Sequence, residues 1–265
     1  MPVAPSQPAF FVRAGDRFVA TESTRGPWGR DYQHGGPPAA LLTRALEELA
    51  GADVLLTRLT FDFLRPAPIA PLTVRAEVVR AGSRVRRLQA VLSTADGTPL
   101  VQAAAVAMRT AAVLPATLGN DDSGPLPVER ATPFQFGFFP DPIGYHTAME
   151  IRVARGAWGK GPMAAWMRPR VALVEGETAS PLQRLMIAAD SASGVAVVVE
   201  PAHYTFVNAD LTVAIHRPPE GEWVCLDAAT VAETHGIGLT RARLWDVRGA
   251  LGISLQSCLA ERRTT

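Results

Sequence analysis

The sequence predicts an α+β chain made of two tandem copies of one unit, each a central helix wrapped by a curved antiparallel sheet. Three observations point there. Both halves run from a helical segment into a series of short strands, in the same order. A shift of 152 residues lays Leu59, Phe61, Phe63, Arg65 and Pro66 onto Leu211, Val213, Ile215, Arg217 and Pro218. The turns between strands are too short for the crossovers that a parallel sheet requires.

In the first half, residues 37–48 open with two prolines, which suit a first helical turn, and set Leu42, Ala45, Leu46 and Leu49 at helical spacing. Leu59, Phe61 and Phe63 then alternate with Thr60 and Asp62 as a strand does, up to Arg65-Pro66. Leu72, Val74, Ala76 and Val78 alternate likewise with Thr73, Arg75 and Glu77. An arginine-rich segment, 83–93, the turn Asp96-Gly97 and an apolar run over 100–108 complete the unit. In the second half a helix is expected over 181–190, then Leu211, Val213 and Ile215 leading to Arg217-Pro218. Strands over 223–232 and 239–245, a turn at Arg248-Gly249 and a last run over 253–260 follow. Between the halves, residues 111–140 hold five prolines and three glycines without a sustained period, which reads as a linker. The expected division is a first repeat at 9–113, a linker at 114–139 and a second repeat at 140–265. The two sheets would join edge to edge, each covering the other's exposed strand.

Composition narrows the class. Of 265 residues, 48% are hydrophobic and 19% charged, enough apolar matter for a large core and too much for a disordered chain. Twenty-six basic residues against 25 acidic leave a net charge of +1, spread along the chain, so no nucleic-acid partner is expected. Cys225 and Cys258 sit in apolar runs and read as buried thiols of a reducing compartment. The longest strictly apolar runs, 103–108 and 195–199, are far short of the ~20 residues a membrane helix needs. The first residues show neither a basic nor an apolar leader segment. These features predict a soluble, cytoplasmic protein with no membrane partner.

With His34-Gly35-Gly36 opening a helix and Phe63-Leu64-Arg65-Pro66 ending a strand, the first half carries half of a pattern. The second half carries the rest: Asp190, Phe206-Val-Asn208-Ala-Asp210, His216-Arg217-Pro218, Glu222-Trp223 and Ser254-Leu255-Gln256. In this order the chain resembles, over roughly residues 10–262, the double hotdog acyl-CoA thioesterases, in particular the bacterial type II enzymes and their peroxisomal relatives. The resemblance implies hydrolysis of acyl-CoA to free acid and CoA in fatty acid and lipid metabolism, without metal or other cofactor, by a homodimer or larger homo-oligomer. It also implies a catalytic aspartate near the end of the second helix, which falls on Asp190, and a glutamine on the last strand, which falls on Gln256. The family's threonine or serine position falls on Asn208. That is a departure, because an amide can hold water but cannot donate through a hydroxyl.

The chemistry expected of these residues is direct attack of an oriented water on a thioester carbonyl. Asp190, beside apolar Ile187, Ala188 and Ala189, is the candidate base, with Gln256 and Asn208 holding the water. The oxyanion is expected at the first helix N-terminus, where His34, Gly35 and Gly36 form the substrate-binding candidates. Pro37 and Pro38 have no N–H, so the donor is Gly35, Gly36 or a residue beyond the prolines. The first half offers no evident counterpart of Asp190: its equivalent lies near Thr43, and Glu47 and Glu48 read as a solvated face. Arg84, Arg86 and Arg87, clustered in one strand, are candidates for the CoA phosphates.

Each residue also has a structural reading. Asp190 with Gly194 beyond it can simply end a helix, Gln256 can satisfy a buried partner, and Asn208 with Asp210 can be a strand-entry turn. His34 reads equally as a cap or packing residue, His216 as a strand-end anchor, and the five tryptophans as core or interface. No Gly-x-Ser-x-Gly elbow is present; Gly156–Gly161 lacks the Ser/Thr of a phosphate loop, and no His/Cys set has zinc spacing. Two alternatives stay open: a hotdog enoyl-CoA hydratase, for which the sequence offers no evident Asp/His pair, and a non-catalytic acyl-CoA-binding protein.

Overall fold

The structure, a computed structural model, describes residues 9–115, 119 and 124–263. The first half contains β1 (Ala9–Ala14), β2 (Arg17–Ala20), α1 (Gly36–Ala50), β3 (Val54–Phe63), β4 (Pro71–Ala81), β5 (Val85–Thr94) and β6 (Pro99–Arg109). The second contains β7 (Thr132–Phe134), α2 (Tyr145–Ala148), β8 (Met149–Arg155), β9 (Met163–Pro169), β10 (Ala172–Val174), α3 (Pro181–Ala189) and α4 (Ala192–Val195). It ends with β11 (Tyr204–Asn208), β12 (Asp210–Ile215), β13 (Val224–Ala232), β14 (Ile237–Asp246) and β15 (Gly249–Arg262).

One continuous sheet links the halves. Its order is β10-β1-β2-β4-β5-β6-β3-β12-β15-β14-β13-β9-β8-β7, with β11 added beside β15. Antiparallel pairing of β3 with β12 makes the junction, so the expected edge-to-edge joining is what the chain does. Thr60 pairs with Thr212, Leu59 with Val213 and Phe61 with Leu211. Because Thr60 and Thr212 are also related by the 152-residue shift, a pseudo-two-fold axis passes through that pair. The repeat extends beyond the four strands read from sequence. The β1–β2 hairpin bonds to β4 as the β8–β9 hairpin bonds to β13.

Both central helices start as the sequence predicts. Pro37 and Pro38 lie in the first turn of α1, and Pro181 begins α3 behind a capping box in which the Ser180 side chain accepts from the Gln183 N–H. The helices cross at their small residues: a Cβ on Gly36 would lie 2.3 Å from the Ile187 carbonyl oxygen. Leu41, Leu42 and Leu46 of α1 and Leu185, Met186 and Ile187 of α3 are buried in one core shared by both halves. Both cysteines are buried free thiols.

Two expectations need correction, the unstructured linker and the Gly194 cap. The stretch read as a linker, 114–139, is partly structured: β7 pairs with β8, and Leu126 O accepts from Trp166 Nε1 at 2.7 Å, so this segment packs on the second sheet. Its residues 116–118 and 120–123 lie outside the described residues. The glycines at 156, 159 and 161 form the turn of the β8–β9 hairpin, all with positive φ, which is why this stretch looks like a loop motif in sequence. Gly194 does not cap the helix that ends at Asp190; it lies inside α4.

Candidate active site

The junction of the halves encloses a cavity of about 380 Å³ at the N-terminus of α1 and the C-terminus of α3. Gln33, His34, Gly35, Phe63 and Arg65 line it from the first half, and Phe136, Phe138, Asp190, Ser191, Ser193 and Asn208 from the second. Four of the six residues expected in the site therefore meet in one pocket. Gly36 and Gln256 do not line it.

Asp190 follows α3 in helical conformation and is buried. Its Oδ1 accepts from Asn208 Nδ2 at 2.9 Å, and its Oδ2 lies 3.1 Å from His34 Nδ1. Asn208 Nδ2 also donates to Asp210 O at 3.0 Å. Two acceptors on one side fix the amide orientation, which leaves the Asn208 carbonyl oxygen as an acceptor for a pocket water. Asn208 thus does what the departure from a hydroxyl allowed: it holds the carboxylate with one atom and offers the other.

Gln256 is fully buried on β15. Its Nε2 donates to the Asp190 backbone carbonyl at 3.0 Å, and its Oε1 accepts from the Ser193 N–H at 3.0 Å. Gln256 Nε2 also lies 3.5 Å from Asp190 Oδ1, so Gln256 holds both the turn that carries Asp190 and the near side of its carboxylate.

His34 sits just ahead of α1, its N–H donating to Thr24 O at 2.7 Å. Its ring stacks face to face on Tyr145, with centroids 3.8 Å apart and planes 2° apart. Tyr145 is itself fixed by donating to Ile187 O at 2.7 Å and by a 2.8 Å bond with Ser191 Oγ, and burial pushes its phenol pKa far up. Burial also lowers the His34 pKa, with the Asp190 charge opposing in part. The Gly36 N–H approaches His34 Nδ1 at 3.1 Å, the same atom that faces Asp190. One in-plane position on Nδ1 cannot both accept from Gly36 and donate to Asp190. At 3.1 Å from both, Nδ1 serves either the Gly36 N–H or the Asp190 carboxylate at one time, which leaves the imidazole and the carboxylate as close neighbours. An Asp/His pair is present after all; sequence separated its members by 156 residues, and the fold brings them together.

The glycines divide their tasks. A Cβ on Gly35 would lie 2.8 Å from Asp190 Oδ2 and 2.9 Å from the Phe63 ring, so only glycine lets α1 approach the carboxylate. Gly36 serves the helix crossing and spends its N–H on His34. Pro37 and Pro38 have none, and the Ala39 N–H returns to Gly35 O. Among the described residues, the Gly35 N–H is left as the amide with no protein acceptor at this helix start.

The sequence missed Tyr145 and the aromatic segment 134–139, both hidden beside or within the apparent linker; the Phe-rich run was the available signal. Trp28, read as core or interface, lines the pocket at 40% exposure. None of Arg84, Arg86 and Arg87 lines this pocket. Arg86 binds Asp53 and the Ala50 carbonyl at the far end of α1, a helix roughly 22 Å long. The cation lining the pocket is Arg65.

Fold and site together define a tandem hotdog protein with a buried carboxylate–imidazole pair at the junction of its repeats. Residues 24–112 match the acyl-CoA thioesterase N-terminal domain and residues 121–260 the acyl-CoA thioesterase C-terminal domain. The chain belongs to the acyl-CoA thioesterase family. No curated protein sequence matches it. Among solved structures, the acyl-CoA thioesterase II TesB2 of Mycobacterium marinum is 16% identical with a TM-score of 0.65, covering 87% of this chain and 90% of its own. A hot dog fold protein of unknown function from Alicyclobacillus acidocaldarius is 18% identical with a TM-score of 0.68, covering 96% of each chain. The inactive H978F variant of the CurJ dehydratase is 14% identical with a TM-score of 0.51, covering 86% and 82%. At these identities the likeness is one of fold.

Proposed function

We propose that this chain hydrolyses the thioester of acyl-CoA through Asp190, Asn208 and His34. One observation carries the reading: in a chain of this family, Asp190, Asn208 bonded to its carboxylate, and Gly35 line one cavity. The acyl carbonyl oxygen sits at the Gly35 N–H, and a water bonded to Asn208 Oδ1 and Asp190 stands over the carbonyl carbon. As the water oxygen bonds that carbon, its proton passes to the Asp190–His34 pair, and Gly35 meets the oxyanion. Collapse of the tetrahedral intermediate breaks the C–S bond, and the same proton leaves the pair for the thiolate sulfur. The second water proton stays with the new carboxyl group. Arg65, whose guanidinium bonds only Pro99 O among the described residues, is available for a CoA phosphate.

The test is thiol release from a panel of acyl-CoAs, with Asp190→Asn beside the native protein. Thiol release that depends on Asp190 supports the reading; binding without release on every ester would make the chain an acyl-CoA-binding protein. A second reading is favoured by the His34–Asp190 pair, which suits addition of water across the double bond of an enoyl-CoA. Loss of enoyl absorbance from crotonyl-CoA without thiol release would replace hydrolysis by hydration.

The reading places the enzyme in the cytoplasm as a homodimer or larger assembly. Supporting it, Val231, Ile237, Leu239, Ile253, Leu255 and Leu259 are exposed on one outer face of β13–β15. Light scattering should find particles well above the 28.2 kDa of one chain, and a single 28.2 kDa species would remove this part of the proposal.

A further inference from the structure

Aromatic side chains are scarce in this protein and concentrated in one place. Of its 18 phenylalanine, tyrosine and tryptophan residues, seven line the cavity at the junction. Phe136, Phe138 and Phe139 form one wall with Trp28, and Phe63 and Phe206 lie among the lining residues from β3 and β11.

That wall is rigid. Phe138 stacks on Trp158 with planes 4° apart and meets Phe136 at 61°, Phe139 at 38° and Trp28 at 35°. Trp158 is fixed in turn by donating from Nε1 to Gly194 O at 2.9 Å. A Cβ added at Gly194 would stand 3.9 Å from the tips of both Phe136 and Phe138, so the absent side chain leaves a slot against the ring edges. Gly194 lies one helical turn beyond Asp190, roughly 6 Å along the axis. Asp190, Gly194 and the aromatic wall thus line one cavity, and Gly194 places no side chain against the ring edges.

We propose that this pocket selects thioesters of aromatic acids, an arylacyl or aroyl group, over straight saturated chains of equal carbon number. The inference rests on the thioesterase reading for its chemistry and adds the class of acyl group. A planar ring meets a preorganised aromatic wall edge to face or offset, each such contact contributing up to about tenfold in binding, and it has few rotors to immobilise. A saturated chain of the same size must freeze several rotors to lie in this cavity and gains no ring–ring contact there.

The experiment compares phenylacetyl-CoA with octanoyl-CoA, eight acyl carbons each, and benzoyl-CoA with heptanoyl-CoA, seven each, by kcat/KM for thiol release. The aryl ester of each pair should be at least tenfold better, and Phe138→Leu should bring each ratio close to one. Equal or better turnover of the straight chains overturns the proposal, as does a preference that survives both Phe138→Leu and Phe136→Leu. In parallel, calorimetry on the native protein compares the thioethers phenylethyl-CoA and octyl-CoA, which cannot be hydrolysed. Tighter binding of the aryl thioether upholds the pocket's selectivity even where no ester is cleaved, an outcome that would sink the thioesterase reading alone. Tighter binding of octyl-CoA overturns the selectivity whatever the turnover.

Discussion

The antiparallel pair α1 and α3 has two ends, related by the pseudo-two-fold axis, and they have diverged. At each end the start of one helix faces a carboxylate from the other, the placement that a helix N-terminus favours. At one end Gly35 and His34 face Asp190; at the other Ser180 faces Glu47, which accepts from Ser180 Oγ at 2.8 and 2.9 Å and from Gln183 Nε2 at 2.8 Å. The cavities beside them differ in kind: about 380 Å³ lined by rings, against about 230 Å³ lined by aliphatic residues and Pro181, Pro218 and Pro219. Among the described residues Glu47 faces only the capping residues of α3, whereas Asp190 faces an imidazole at 3.1 Å. A carboxylate at a helix start belongs to the scaffold; the group facing it decides whether that carboxylate does chemistry.

The sharpest way to break this contrast is Asp190→Asn. It keeps the shape and removes the proton acceptor, so kcat should fall about a hundredfold or more, the usual contribution of a positioned acid–base group. A fall of less than threefold, with circular dichroism unchanged, would put the two ends back on a par.

His34→Asn comes next, with a loss of roughly tenfold in kcat and a change in pH profile. Burial lowers the His34 pKa from 6.5, so the ring is neutral in the folded protein at neutral pH and becomes charged only below that value. The acid limb that it contributes to kcat/KM therefore lies below pH 6.5, and the variant should lose it. A limb at the same pH in both proteins would mean that His34 only packs on Tyr145.

Much of this contrast was legible beforehand. Proline placement and helical spacing gave both central helices within about two residues, and the repeated alternation before Arg-Pro gave strands β3 and β12, whose pairing at the junction only the fold shows. Asp190, Asn208, His34 and Gly35 were recognisable as a set because the resemblance carried them. What stayed hidden was tertiary. Glu47 reads as a solvated face because its neighbours Glu48 and Leu49 are exposed, and only the crossing of α3 brings Ser180 and Gln183 onto it. Gln256 reads as a water holder until the fold buries it against the Asp190 backbone. The β8–β9 hairpin is masked by its glycine-rich turn.

The arginines that follow the two junction strands offer a smaller test. Arg217 makes paired 2.6 Å bonds to the buried Asp246, while its repeat-mate Arg65, among the described residues, binds only a backbone carbonyl and lines the cavity. Arg65→Ala should raise KM for acyl-CoA three- to fivefold with kcat unchanged, the size of one exposed charge-assisted contact. An unchanged KM would place the CoA phosphates elsewhere.

The smallest effect belongs to Glu47. Burial raises its pKa above 4.5, opposed by the bonds from Gln183 and Ser180 and reinforced by the Glu48 charge. As pH rises past 4.5 the unfolded chain loses this proton before the folded one does, so folding stability falls through that window, and above the folded-state pKa the penalty is complete. Glu47→Gln keeps an acceptor for the α3 cap and removes the penalty. Its Tm should match the native protein's at pH 4 and exceed it at pH 7 by roughly 1–3 °C, a shift readable in a chain of this size. Turnover should be unaffected, because Glu47 lies at the far end of the helix pair. A Tm gain at pH 4 as large as at pH 7 would show that the carboxylate's ionisation carries no cost, and a loss of turnover would give the second end a part in the chemistry.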